Sequence, residues 1–488
     1  MIRKLFPLGF LLFLMSCSLE PRYRGPIVEV PGEWKSTQIR DATEESSEEQ
    51  DSDSVSTSLV DDSRVENWWE IFHDDILNWL ELQLLENNKD LSVAIQKVFE
   101  SRAVAGVRGA DLYPQLSLTP YYENIGALVK IFGLPTPPPG FPPPPTIIRT
   151  HQLFYILPLK LSYELDLWGK VKNTEKAALL DVEAQEMALR TTLLILTSDL
   201  AVNYFRLRAF DAQLKLLADT TKIRKDALDI IRDRYDQGFV NYSDVTRAES
   251  LFYNAESQYF DSLRSRALKE NMIAVLIGVP PSVFTLEYNP LNSLPPSVPS
   301  GIPSEVLLKR PDLMEAEKTA ASEHAMIGVA YASFYPSISL TGYLGYSSPD
   351  LRDFLTWKSR LWAFGGNMTA PIFDGYRNIS NLDLAYARFH EASGTYQQRV
   401  LTAFKEVEDA LVNIKLQAEE MDKLEKSAQS SKVTTEISMD RYLNGFVNYL
   451  DVADSWRMEL EAQSGVIDLL GQQYVSTIEL IKALGGSW

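Results

Sequence analysis

Cys17 is the only thiol in this chain, and its surroundings point to one kind of chemistry, acylation. Before it come a short basic head (Arg3, Lys4) and an apolar run from Leu5 to Met15, too short to span a bilayer and suited to a signal-peptide core. Leu14-Met15-Ser16-Cys17 closes that run in the form of a lipoprotein cleavage box, with Met15 an untypical residue inside it. The expectation is a signal peptide over 1–16 and a mature chain that begins with a lipidated Cys17, the alternative being an ordinary secretory signal with an incidental cysteine. Ser18, where an aspartate would retain a bacterial lipoprotein, fits sorting to the outer membrane. A lone cysteine also leaves no disulfide to form within the chain.

Other reactive residue types are present without the spacing that would put them to work. His73, His151, His324 and His390 are scattered, with no HExxH pair, and no glycine-rich phosphate loop occurs. Acidic pairs such as Asp61-Asp62 and Asp74-Asp75 read as solvated runs, and no nucleophile motif stands out. Neither enzymatic activity nor a metal or other cofactor is expected. A formal net charge of -19 argues against a nucleic-acid partner, since phosphate binding needs basic surface, and suits a neutral or cationic cargo.

The elements that must position anything functional are organised by a duplication. Hydrophobic residues make up 45% of the chain and charged residues 23%, proportions of a foldable protein. Residues 17–63 form an N-terminal segment with an acidic, serine-rich tract from Asp41 to Ser63, expected to be a disordered tether. Arg234-Tyr-Asp-Gln-Gly-Phe-Val-Asn-Tyr-Ser-Asp-Val245 then matches Arg441-Tyr-Leu-Asn-Gly-Phe-Val-Asn-Tyr-Leu-Asp-Val452 at nine of twelve positions, 207 residues on. Gly106-Val107 and Tyr113-Pro114-Gln-Leu-Ser-Leu-Thr119 match Gly328-Val329 and Tyr335-Pro336-Ser-Ile-Ser-Leu-Thr341, 222 residues on. One insertion in the first copy explains the unequal offsets, and the proline-rich Pro135–Pro145 lies where it must fall. The two repeats are expected over 64–303 and 304–488.

Each repeat reads as helix, two strands, very long helix, tight turn, helix. Asn88–Ala110 and Ser304–Ser333 are the leading helices. Ile338, Leu340 and Leu344 alternate with Ser337, Ser339 and Thr341, as in a strand with one apolar and one polar side. Leu157, Leu159 and Leu161 alternate in the same way, as do Trp362, Phe364, Met368 and Ile372, so four strands per chain are expected. Gly169–Gln237 and Tyr376–Asn444 contain no proline, and as helices of about 1.5 Å rise per residue each would be on the order of 100 Å long. Two shorter helices stacked end to end could match each of them. Gly238 and Gly445 stand where the long helices must stop in a left-handed cap. No run of eighteen apolar residues follows the signal, so a membrane crossing would have to use strands. Four strands cannot close a barrel, and an open edge in lipid leaves backbone groups unsatisfied; three chains would supply twelve.

With this grammar the chain resembles the TolC/OprM family of outer-membrane efflux proteins, over almost everything after about residue 64. The resemblance is carried by Asn67-Trp68-Trp69-Glu-Ile-Phe72-His-Asp74, Asn88-Lys-Asp-Leu-Ser-Val-Ala94 and the Tyr-Pro strand starts. Glu164-Leu-Asp-Leu-Trp-Gly169, Lys309-Arg-Pro-Asp312, Arg441-Tyr442-x-x-Gly445 and Lys482-Ala-Leu-Gly-Gly-Ser-Trp488 complete it. The lipoprotein members that work with resistance-nodulation-division pumps are the nearest in kind. The resemblance implies an α+β membrane protein, a homotrimer in which a 12-stranded transmembrane β-barrel continues into a 12-helix periplasmic α-barrel. It implies a periplasmic adaptor (membrane fusion) protein and an inner-membrane RND-type transporter as partners, with outer-membrane lipid around the barrel. The chain would conduct small molecules passively out of the periplasm.

In that family the long-helix turns close the periplasmic mouth and an acidic residue after the turn faces the pore. The matching residues are Asp244 in the first copy and Asp451 and Asp454 in the second. Asp451 and Asp454 are three apart and share a helix face; under three-fold symmetry they would stack as two acidic rings favouring cations. As first-turn residues the same aspartates also suit a helix dipole. Tyr442 matches a position that latches the closed mouth, and it also fits plain packing between helices. The Gly238 and Gly445 turns are where adaptor hairpin tips would insert. The acidic tract and the proline-rich loop are untypical of the family. Two rivals are an exit duct of a type I protein secretion system and a soluble periplasmic helical scaffold; the latter leaves the alternating strands and the lipid box unexplained.

Overall fold

The alternating and helical patterns fold as a four-stranded sheet and a set of long helices. The structure, a computed structural model, describes residues 19–26, 67–130, 138–140, 147–296, 307 and 309–486. Cys17, the tract from Asp41 to Ser63 and most of Pro135–Pro145 lie outside the described residues.

Along the chain come α1 (Asp75–Asn87), α2 (Lys89–Ala110), β1 (Gln115–Leu118), β2 (Tyr121–Lys130), β3 (Ile147–Leu165), α3 (Lys170–Asp236) and α4 (Tyr242–Leu276). The second repeat follows as α5 (Pro311–Ala332), β4 (Ser337–Ser348), β5 (Arg360–Thr369), α6 (Arg377–Leu443) and α7 (Tyr449–Ala483). Both long helices, α3 and α6, have 67 residues. The paired short helices have 22 and 35 residues in each copy. Two expectations shift. The leading helix of the second repeat begins at Pro311, a residue whose missing N–H and fixed φ suit a first helical turn. The other change is α1, a helix for which the repeat grammar has no place; it buries Leu77, Leu80 and Leu84 along one face.

The chain divides into two compact units. One contains the sheet with the adjoining helix segments 99–183 and 318–393; the other contains 26–98, 184–317 and 394–488. In the sheet unit the strands are antiparallel, in the order β1/β2, β3, β4, β5. β1 and β2 pair with β3 in one unbroken register, Leu118 with Leu159 and Tyr121 with Ile156, and Thr119 N–H still donates to Pro158 C=O at 3.3 Å. They are one strand interrupted at Pro120, which has no N–H to give, so four strands cross the sheet. Ile372 falls beyond β5. The register sorts the side chains into two faces. Leu118, Leu159, Leu344 and Trp362 form one apolar row, Leu116, Leu161 and Phe364 the next, and Leu165, Ile338 and Met368 a third. Ser117, Lys160, Ser162, Glu164, Ser339, Thr341 and Asn367 take the other face. Much of the apolar face is open to its surroundings, with Leu118 60%, Trp362 65% and Phe364 70% exposed. No helix among the described residues is long and apolar enough to cross a membrane.

In the sheet unit, residues 19–25 lie against the helices. Glu20 receives Lys176 Nζ at 2.8 Å on both carboxylate oxygens and stands 3.2 Å from His324 Nδ1, while the Tyr23 ring packs edge-on to His324.

The helical unit holds three of the apolar cores. The largest joins Trp68, Trp69, Leu77, Leu80 and Leu84 to Leu200, Tyr204, Phe205, Ile273 and Tyr474. Asp74, read from sequence as part of a solvated run, instead caps α1 through Ile76 N–H and Leu77 N–H and accepts the Tyr204 hydroxyl at 2.6 Å. Its position at a helix start, where N–H groups lack partners, explains the difference. In both copies the short helices meet end to end. Asn88 caps α2 through Leu91 N–H and also donates to Leu276 C=O of α4 at 2.7 Å; Arg310 donates to Ala483 C=O of α7 at 2.8 Å. The link between the repeats is pinned by a buried charge cluster. Asp211 accepts Arg208 Nη1, Arg266 Nε and Asn289 N–H, while the Leu286 and Glu287 carbonyls accept Arg266 and Arg208.

Candidate functional site

The repeated twelve-residue motif builds two helical hairpin tips in the helical unit. α3 turns into α4 at Gly238 (φ +78°) and α6 turns into α7 at Gly445 (φ +79°), a left-handed backbone that glycine adopts without strain. The hydrogen bonds repeat as well. Gly238 N–H donates to Tyr235 C=O and Phe239 N–H to Arg234 C=O; Gly445 N–H donates to Tyr442 C=O and Phe446 N–H to Arg441 C=O. This pattern satisfies the last helical carbonyls and reverses the chain within a few residues. Each turn leaves a phenylalanine, Phe239 or Phe446, 75% exposed.

Beneath the turns the two hairpins share one core. Ala227, Leu228 and Ile231 of α3 meet Val245, Ala248 and Leu251 of α4, Tyr442 of α6, and Tyr449, Val452 and Trp456 of α7. The Tyr442 and Tyr449 rings lie 5.4 Å apart, and Trp456 stands edge-on to Tyr449 at 6.3 Å. Among the described residues neither tyrosine hydroxyl meets a hydrogen-bond partner. Burial raises the pKa of both phenols, opposed at Tyr442 by the Arg234 guanidinium, which lies 5.4 Å from the centre of its ring. Arg224, itself buried, ties the hairpins together by donating to Leu251 C=O at 2.9 Å and Trp456 C=O at 3.3 Å; burial lowers its pKa. Beside this core a groove of about 840 Å³ runs along α3, α6 and α7, with Ile223, Ala227, Lys432, Met439, Leu443 and Leu460 among its walls.

The three aspartates sit at the starts of the return helices. Asp244 and Asp451 occupy the first turns of α4 and α7, their N–H groups donating to Asn241 and Asn448 C=O. Asp244 is largely covered and lies 3.5 Å from Arg247. Asp451 and Asp454 are exposed, and Asp454 lies 3.3 Å from Arg457. The structure thus brings Tyr442, Asp244, Asp451, Asp454, Gly238 and Gly445 into one end of the helical unit. Cys17 is outside the described residues, although Glu20, three residues on, is already fixed in the sheet unit. Two residues at the tips carry weight that the sequence reading assigned to neither: Arg234, whose signal was its place in the repeated motif, and Arg224, which carries no local signal.

Comparison with known proteins gives this arrangement its family. The family model described as outer membrane efflux protein matches residues 155–279 and 302–486, one stretch in each repeat. The cation efflux system protein CusC of Escherichia coli O157:H7 is 29% identical over 494 residues, covering 99% of this chain and 99% of CusC. The solvent efflux pump outer membrane protein SrpC of Pseudomonas putida is 30% identical over 486 residues, covering 99% of this chain and 98% of SrpC. Among solved structures, the Campylobacter jejuni outer membrane channel CmeC superposes with a TM-score of 0.82 at 26% identity, over 96% of this chain and 95% of that one. The chain belongs to the outer membrane efflux protein family, and its work is that of an efflux channel in the outer membrane.

Proposed function

We propose that three copies of this chain share one barrel wall and one helical tunnel, and that the channel is gated at the hairpin tips. The observation that carries this reading is the four-stranded sheet, which has an exposed apolar face, a polar opposite face and two open edges. An open edge in hydrocarbon costs several kcal/mol for each unsatisfied backbone group, so β1/β2 of one copy pairs with β5 of the next until the ring closes. Twelve strands complete it, polar face inward. The same sheet speaks against a soluble scaffold, and the relatives' names, cation and solvent efflux, favour small-molecule export over protein secretion.

At the tips, Asp451 and Asp454 form two stacked acidic rings that constrict the mouth and favour cations, with Asp244 contributing less because its side chain is largely covered. The Tyr442 hydroxyl, buried without a partner among the described residues, finds its acceptor in a neighbouring copy and latches the mouth shut. Phe239 and Phe446 beside Gly238 and Gly445 are the contact points for a periplasmic adaptor protein, which links the tunnel to an inner-membrane RND-type transporter. Cys17 carries the lipid anchor. The gate is tested in planar bilayers. Asp451→Ala with Asp454→Ala should raise ion conductance and weaken cation preference; unchanged conductance and selectivity would remove these residues from the gate. Cys17→Ser should abolish incorporation of labelled palmitate.

A further inference from the structure

The apolar face of the sheet carries a built feature that conduction does not use. At the end of the sheet where β4 turns toward β5, Leu118, Leu157, Leu159, Leu344, Tyr346 and Trp362 wall a groove of about 560 Å³, within the range of small-molecule sites. Arg360 and Trp357 stand at its rim, with the guanidinium carbon 3.8 Å from the centre of the Trp357 ring. The register places these groups together, since Leu157, Tyr346 and Arg360 are neighbours across three strands, next to the row of Leu159, Leu344 and Trp362. The rim belongs to the turn after Ser348, whereas β4 begins directly after α5 and β5 leads into α6 at the other end of the sheet. In a sheet that crosses the outer membrane with its helices in the periplasm, the rim is therefore at the cell-surface leaflet.

We propose that this groove is a lipid site, holding an acyl chain against the leucines while the phosphorylated headgroup of the same lipid sits on Arg360. A cation on a lipid-facing strand is tolerated near the interface and is costly deeper in the bilayer, so its place at the rim fits a headgroup partner. No carboxylate pairs with Arg360 among the described residues, and stacking on Trp357 holds the guanidinium plane while leaving its N–H edge for phosphate oxygens. Arg352 and Lys358 in the same turn add positive charge against Asp350 and Asp353. Lipid fits this face better than a second copy of the chain. Copies meet along strand edges through backbone hydrogen bonds, and that pairing leaves the face of the sheet uncovered.

The test uses the full-length protein in nanodiscs of zwitterionic lipid, with diphosphorylated lipid A as probe and native mass spectrometry as readout. Lipid A should be retained by the wild type. Arg360→Ala should weaken retention by about tenfold, the loss expected of a charge-assisted pair, and Arg360→Lys by less, because lysine keeps the charge without the fork. A dephosphorylated lipid A should bind as weakly as the Ala variant shows, and inorganic phosphate should not displace the lipid. Assembly and conductance should be unchanged in these variants. Equal retention by wild type and Arg360→Ala overturns the site, as does equal binding of the dephosphorylated lipid or displacement by phosphate alone. If Arg360→Ala does not assemble, Arg360→Lys and Trp357→Leu decide the question, since neither removes the charge; unaltered retention in both overturns it.

Discussion

The two hairpin tips are built on almost the same twelve residues and dispose of their tyrosines in opposite ways. Tyr235 and Tyr242 of the first tip are 42% and 61% exposed, while their counterparts Tyr442 and Tyr449 are 6% and 1% exposed. The ring pairs are nearly equally spaced, 5.6 Å in the first tip and 5.4 Å in the second. The motif therefore fixes the turn and the tyrosine spacing without fixing burial. Residues outside it decide that. The second copy has Trp456 where the first has Glu249, and the tryptophan closes over Tyr449. The first copy has Arg224 where the second has Ser431, and that arginine reaches across to the second hairpin's backbone. The first copy has Arg247 where the second has Asp454, so the first tip pairs its one aspartate with Arg247 while the second has two, of which Asp454 lies 3.3 Å from Arg457. Both tips contribute to the shared core, but the second buries its two motif tyrosines there and the first leaves its own exposed.

This asymmetry can be broken by substitution. The largest effect is expected at Tyr449→Ala, which empties a packed site and should cost about 3–5 kcal/mol in denaturant unfolding. The matching Tyr242→Ala should stay within about 0.5 kcal/mol, and equal losses would erase the distinction between the tips. Arg224→Ala should cost about 1–3 kcal/mol by removing the charge-assisted hydrogen bonds to the Leu251 and Trp456 carbonyls that tie the hairpins together, measured in the same way. In bilayers, Asp451→Ala with Asp454→Ala should raise conductance more than Asp244→Ala, which removes a single, largely covered carboxylate. Tyr442→Phe should be the mildest in stability, within about 1 kcal/mol, because it keeps the packed ring and removes a single hydroxyl. The same variant should raise conductance if a neighbouring copy receives that hydroxyl, and unchanged conductance would assign Tyr442 to packing alone.

Much of the architecture was legible in the residues. The nine matches between Arg234–Val245 and Arg441–Val452 exposed the duplication, and the proline-free runs gave the long helices to within a residue or two at each end. Period-two alternation in Ser337–Leu344 gave β4 and its two faces. The misses have physical causes. α1 states its spacing in Leu77, Leu80 and Leu84, but it lies outside the two matched stretches that exposed the duplication. Arg224 is surrounded by ordinary helix sequence, and only tertiary packing shows that it is buried and bonded to backbone. The site residues were legible as positions at the tips. What separates Asp244 from Asp451, a neighbouring arginine and a covered side chain, came from the fold.

The sheet's two unpaired edges demand neighbours, and counting the chains in the detergent-extracted mature protein by native mass spectrometry addresses that demand most directly. A mass of three chains, cross-linked in series by cysteine pairs placed on β1 and β5, is the result required here. A single chain that remains monodisperse in water without detergent would contradict the shared wall.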